Sequence, residues 1–299
     1  MEYLYTIIVM MALYVILASS FDFVIGHGGL ISIAHPIFYA LGAYASALLA
    51  KDLHWPIVLA IPAGAVVAMV ASVLVALPAL RVSGDYLLIA SIGFQLGVIE
   101  AIKNLDWTGG AGGLSNIPGV SITQGHGPYV IAVVLIAIAT VALLRFVAHS
   151  PYGRAISALR DDEPAFIALG RNAMHMKIGI FALGSAIAGL AGGLYAHYFR
   201  FLSADQFGIM QSAALLTMVV VGGMRSIWGP VLGAIVLEAL PQALTFLNLP
   251  PSILGPLQGI LFTGLVLIFM FFRPQGLIVA GDVWTGRRNA KEAAHVRRA

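Results

Sequence analysis

The residues with chemical potential in this chain are few, and most of them fail the spacing test for catalysis. The glycine-rich stretch Thr108-Gly109-Gly110-Ala111-Gly112-Gly113-Leu114 could cradle a phosphate, but no lysine follows it, and G-x-x-x-x-G-K-[ST] occurs nowhere. ATP is therefore not expected to bind here. His35, His54, His126 and His197 are scattered rather than set at metal-ligand spacing, and cysteine is absent. There is no H-E-x-x-H, no G-x-S-x-G and no tight carboxylate pair. No enzyme, cofactor or metal site is expected. Two carboxylates lie in apolar runs, where a charge is expensive: Glu100 and Glu238. They could form a proton relay, the mark of an ion-coupled secondary transporter. Glu100 stands beside Lys103 at the end of its run, so an interfacial position explains it, whereas Glu238 is deeper and has no partner assignable from sequence.

The elements that must position these residues follow from composition. Of 299 residues, 60% are hydrophobic and 10% charged, with a mean hydropathy of +0.95. Soluble proteins carry about 25% charged residues, so this chain cannot clothe a water-facing surface and must meet lipid. Roughly 20 apolar residues cross a bilayer as a helix. Nine such segments are expected, near residues 3–20, 28–50, 55–77, 86–102, 129–147, 178–199, 206–221, 227–247 and 253–272. The first lacks a preceding basic region and is kept as a helix rather than a cleaved leader. The fold expected is an all-α polytopic transmembrane bundle of about 8–10 spans with a weak internal repeat.

Orientation follows the basic residues. Arg145, Arg154, Arg160, Arg171 and Lys177 lie in one segment, and Arg273, Arg287, Arg288, Lys291, Arg297 and Arg298 in the tail, making 11 of the 16. Both segments are expected on the cytoplasmic side, with the N-terminus outside. Their position beside membrane spans also argues against nucleic acid as the partner of this net +3 chain. A re-entrant pair would fit the seventh and eighth segments nearly as well as two spans.

The repeat joins Gly29-Leu30-Ile31-Ser32-Ile33-Ala34-His35-Pro36 to Gly223-Met224-Arg225-Ser226-Ile227-Trp228-Gly229-Pro230, 194 residues later. Glycines followed by proline at the head of an apolar run are the pattern of interrupted helices in corresponding halves of a transporter. Irregular backbone at membrane depth can line a polar path, so Gly28, Gly29, Ser32, Gly222, Gly223 and Ser226 are path candidates, with His35 beside them. Helix packing alone would also explain each glycine, and a satisfied, buried imidazole would explain His35. The row Gly184, Ala188, Gly192, Ala196 reads as a face for close helix packing.

Between the fifth and sixth segments, residues 148–176 do more than connect. Ser150-Pro151 is a helix start, and a short helix through Leu159 carries Ile156 and Leu159 on one face. Asp161-Asp162-Glu163-Pro164 breaks it and opens a second helix with negative charge, and Gly170 is placed to end that one. Two short amphipathic helices in a loop form either an interfacial hairpin or a docking element for a cytoplasmic partner.

The run Arg160-Asp161-Asp162-Glu163-Pro164-Ala165, ending at Gly170, resembles the coupling loop of ABC importer permeases, though proline replaces the first alanine of E-A-A…G and the glycine comes one residue late. More closely it resembles the branched-chain amino acid permeases, as do Gly26 to Tyr44 and Val221 to Ala234; Gly84-Asp85-Tyr86 and Thr108 to Pro118 are similar to the LivM-type rather than the LivH-type subunit. The resemblance covers about residue 15 to Gly276. It implies an inner-membrane permease subunit for hydrophobic amino acids working by alternating access, a second LivH-type permease, two cytoplasmic ATPases holding ATP and Mg, and an external substrate-binding protein. It assigns Arg154, Arg160, Asp162, Glu163, Ala165 and Gly170 to coupling. Related permeases for urea or short amides are the substrate alternative. Domain organisation is expected as a permease body, 1–280, and a polar basic cytoplasmic tail, 281–299.

Overall fold

The computed structural model describes residues 2–79, 85–119, 127–245 and 276–278, with a few single positions between 257 and 271. The ninth expected segment and the tail from 281 lie outside these residues. Ten α-helices are described: α1 Glu2–Asp22, α2 His35–Lys51, α3 Ile57–Ala79, α4 Asp85–Asn104, α5 Gly127–His149, α6 Pro151–Asp161, α7 Glu163–Ala168, α8 Ala173–Phe199, α9 Ile209–Gly222 and α10 Gly229–Thr245. Among the described residues, six helical stretches are long and apolar enough to cross a membrane, namely 2–27, 57–74, 86–104, 127–149, 173–199 and 204–222.

One expected span begins later than the hydropathy suggested: the second was expected from Gly28, yet α2 starts at His35, whereas the eighth, expected from about Ile227, is α10 from Gly229. The cause at α2 is backbone conformation. Gly29 sits at φ +68°, and ahead of α10 Gly223 sits at +110° and Arg225 at +66°, values that an α-helix does not admit. Hydropathy sees only apolar residues and runs straight through the first break. The two helices begin at positions related by the 194-residue repeat, so the repeat is structural as well as sequential. At 17 residues, α2 rises about 26 Å, short of the roughly 30 Å hydrocarbon core.

The core is organised around α8, 27 residues long and about 40 Å in rise. Its small-residue row lets two neighbours approach to backbone contact. A Cβ on Gly192 would lie 2.1 Å from the Tyr39 carbonyl of α2, and one on Gly189 would lie 2.4 Å from Ala68 Cβ of α3. That face is used within the chain. In contrast, α3, α4 and α5 turn Val58, Leu74, Ile89, Leu96, Ile131 and Leu135 outward, as lipid-facing helices do. At the end of the bundle away from α6 and α7, the 105–119 stretch is pinned to α8. Leu114 and Leu202 exchange backbone hydrogen bonds of 2.8 and 3.0 Å, and His197 Nδ1 lies 2.7 Å from the Pro118 carbonyl.

Candidate functional site

The candidate site sits where the two breaks meet the loop helices. Locally, the loop folds for the reasons its sequence supplies. Ser150 caps α6, its Oγ accepting from Gly153 N at 3.3 Å, with Pro151 in the first turn. Asp162 stops α6 in an extended conformation and caps α7, its Oδ1 accepting from Ala165 N at 2.9 Å. Gly170 follows α7 at φ +76°, the left-handed position that ends a helix cheaply only with glycine. Ile156, Leu159 and Phe166 are buried, and Lys177 Nζ reaches both Glu163 carboxylate oxygens, at 2.7 and 2.8 Å, tying α7 to α8. The other side of the loop stays open. Arg154, Asp162, Ala165 and Arg171 are exposed, and Ile167 and Leu169 keep 53% and 79% of their surface. A groove of about 530 Å³ runs between α7 and the start of α8, lined by Glu163, Ile167, Gly170, Arg171 and Met174 among others.

Arg160, the last arginine of α6, points inward. Its Nη1 donates to the Gly26 carbonyl at 2.6 Å, and its Cγ would lie 2.7 Å from a Cβ on Gly29. Burial and the nearby Arg225 pull the Arg160 guanidinium below its usual range, while Asp161 and Asp22 oppose that shift. Gly26 belongs to a single π-turn, Phe23–His27, that extends α1 before the chain unwinds. The first break folds back on the π-turn through backbone, Gly28 N, Gly29 N and Leu30 N donating to the Phe23, Ile25 and Val24 carbonyls at 3.0, 3.0 and 3.2 Å, and side chains tie it to other elements. Ile33 N donates to Ser91 Oγ of α4 at 3.0 Å, and Ser32 Oγ accepts from Ala34 N at 3.4 Å. Gly28 packs on Ile180 of α8, seven residues into that helix and about 10 Å along it. Irregular backbone at that depth is tolerated because protein surrounds it.

The second break is held by backbone. A Cβ on Gly222 would lie 2.0 Å from the Gly229 carbonyl, and one on Gly233 would lie 2.0 Å from that of Met218, so α9 and α10 form a hairpin in near-contact. Leu277 N and Ile278 N donate to the Val221 and Gly222 carbonyls at 2.8 and 3.0 Å. Ser226 Oγ accepts from Gly229 N at 3.3 Å, the same local duty that Ser32 performs in the first copy.

The structure therefore brings Gly28, Gly29, Arg160, Gly222, Gly223 and Ser226 to one region. Arg154 and Gly170 lie on its exposed flank. His35 is buried against Ser20 Oγ, 2.8 Å from its Nε2, with the Phe21 ring tilted against it, centroids 5.0 Å apart. Packing accounts for Gly222 and Gly28, and hydrogen bonding for His35; none of these contacts addresses a substrate. Glu238 has Gln242 Nε2 at 3.4 Å, and Glu100 accepts from Asn104 Nδ2 at 3.1 Å in an exposed setting. Among the described residues no group of metal-ligating side chains forms. The residue that sequence reasoning passed over is Asp22. It is 2% exposed, and its Oδ1 accepts from Arg225 N at 3.0 Å, joining the first break to the second across 203 residues. An aspartate at the end of an apolar run was its only signal.

A multi-pass helical bundle with paired helix breaks in corresponding halves is the architecture of a membrane transporter. The chain belongs to the family of branched-chain amino acid transport system permease components, whose model matches residues 3–270. It is 32% identical over 294 residues to the high-affinity branched-chain amino acid transport system permease protein LivM of Escherichia coli (strain K12), covering 89% of this chain and 68% of that one. The Salmonella typhimurium LivM protein is 32% identical over 297 residues, 90% and 68% of the two chains. The LivH permease protein of Escherichia coli (strain K12) is 28% identical over 261 residues, 77% and 82% of the two chains. No solved structure matches. The chain is a multi-pass membrane protein and a permease component, not itself a catalytic enzyme.

Proposed function

We propose that this chain is the LivM-like half of an ATP-driven importer that carries branched-chain amino acids inward through the cytoplasmic membrane by alternating access. A LivH-like permease would complete the path, two ATPases would bind ATP and Mg in the cytoplasm, and an external binding protein would select the substrate. The observation that carries the reading is the docking of α6 on the first break through Arg160, with the flank of α7 left open beside a groove. Such a loop has one face for the membrane helices and another for a partner. Arg154, Asp162, Glu163, Ala165 and Gly170 shape the outer face, and Arg160 the inner one. ATPase closure against the outer face would shift the populations of inward-open and outward-open states.

On this reading α6, α7 and the C-terminal tail are cytoplasmic, and the breaks flank the substrate path, where their free carbonyls and N–H groups would meet the charged ends of an amino acid. On this reading Glu238, with Gln242 Nε2 at 3.4 Å, serves packing within the bundle rather than ion coupling. The test is reconstitution of the chain with LivH-like, ATPase and binding-protein partners in liposomes. Leucine uptake that requires ATP and all partners is expected. Uptake by the chain alone, driven by an ion gradient, would overturn the reading in favour of a secondary transporter.

A further inference from the structure

We propose that Asp22 is a positioning residue that locks the two helix breaks into one moving unit, so that motion of α6 reaches both halves of the chain at once. The inference rests on the permease reading above and adds the route by which its coupling loop acts. Arg160 of α6 bonds to the first break, at the Gly26 carbonyl and beside Gly29. Among the described contacts, α6 has no hydrogen bond to the second break. The link between the breaks is the Asp22 carboxylate, which lies one turn before Gly26 on the same continuous helical stretch and accepts from Arg225 N at 3.0 Å.

Three observations show that this contact is built rather than incidental. First, Asp22 is 2% exposed in an otherwise apolar helix, where a carboxylate is costly unless neighbours compensate. Its Oδ2 lies 3.4 Å from His27 Nδ1, and the Arg160 guanidinium is near enough to interact with its charge. Second, Gly26 makes room for it. A Cβ there would lie 2.0 Å from Asp22 Oδ1 and 3.0 Å from Arg225 N, so a side chain would split the pair. Third, Arg225 holds a left-handed conformation, φ +66°, without being glycine. Such a residue keeps that shape only where its surroundings fix it, and the acceptor on its N–H is Asp22. Released from that acceptor, residues 223–228 lose their hydrogen bond to α1, and only the packing of α9 and α10 on α1 is left to place them.

The test uses the assembled importer in liposomes and reads the ratio of leucine taken up to ATP hydrolysed. Asp22→Ala removes the acceptor; Asp22→Asn retains an Oδ1 for Arg225 N–H. Asp22→Ala is expected to cut the ratio about tenfold with hydrolysis within about threefold of wild type, and Asp22→Asn to keep most of it. The proposal is overturned if Asp22→Ala leaves the ratio unchanged, or if the two variants behave alike. A second measurement keeps Asp22 native and uses the absence of cysteine. Spin labels at Ser157→Cys on α6 and Met224→Cys on the second break should hold one separation with and without ATP. A change beyond about 5 Å, the scale of a one-turn ratchet, would show that the breaks move apart and would overturn the proposal. A wild-type complex that fails to couple uptake to hydrolysis would instead defeat the permease reading, before any variant is compared.

Discussion

The two helix breaks share one sequence pattern and meet their neighbouring elements in different ways. In the first, residues 28–30 bond locally to the backbone of the π-turn, and the contacts from other elements are side chains: Arg160 from α6, Ser91 from α4 and Ile180 from α8. In the second, glycine lets backbone meet backbone, Gly222 on Gly229 and Gly233 on Met218. Side-chain contacts can lengthen, rotate and re-form at small cost. Backbone in near-contact has no such freedom, because packed interiors are bistable at best rather than continuously deformable. The difference assigns labour within the repeat. The first break is the adjustable joint that receives the loop helices, and the second is a rigid wedge that follows.

The largest effect should come from violating the rigid wedge. Gly233→Ala places a Cβ 2.0 Å from the Met218 carbonyl, which no rotamer can relieve. Overpacking of this kind costs typically 1–3 kcal/mol and occasionally more, and here the obstacle is backbone, so the upper end is expected. The melting temperature of the detergent-solubilised complex should fall by several degrees. Gly97→Ala in α4, where a Cβ meets nothing within 4 Å, is the matched control and should not lower it. If both variants melt alike, the α9–α10 hairpin is not the close-packed element described.

An intermediate effect is expected at the adjustable joint. Gly29→Ala must hold φ +68° with a Cβ 2.7 Å from Arg160 Cγ. The left-handed backbone costs about 1–2 kcal/mol for a residue with a Cβ, while the arginine can swing aside. Thermal stability should therefore drop less than for Gly233→Ala, yet the Arg160 contact with Gly26 should be disturbed. Uptake per ATP hydrolysed should suffer more than the melting temperature does. A variant that loses stability and coupling in proportion would erase the distinction between the two breaks.

What the sequence made legible was local, and what it hid was long-range. Ser150, Pro151, Asp162 and Gly170 each act through their own few neighbours, so capping rules located α6 and α7 nearly to the residue. The repeat was visible because glycine and proline punctuate backbone directly. The head of α2 was misplaced because hydropathy does not register φ. Ser32 and Ser226 look like polar groups available to a substrate, but their hydroxyls turn back onto the following helices, at Ala34 N and Gly229 N. Asp22 was overlooked because its partner is a backbone N–H 203 residues away, and no periodicity encodes such a pairing. The small-residue row of α8 was legible as packing, though only the structure shows α2 and α3 filling it.

The smallest effect, and the sharpest on the comparison, concerns Ser91. Its hydroxyl accepts from Ile33 N at 3.0 Å and donates to the Leu88 carbonyl of its own helix at 2.7 Å. Ser91→Ala removes the acceptor without adding bulk and leaves Ile33 N–H half-buried and unpaired. The cost of one such donor is about 1 kcal/mol where water still has partial access. Because α4 supplies this bond from outside the repeat, its loss should free the first break alone. Amide hydrogen exchange should then quicken in residues 28–34 and stay unchanged in 223–228. Equal quickening in both would mean that the breaks share one stability, and that the second is no more rigid than the first.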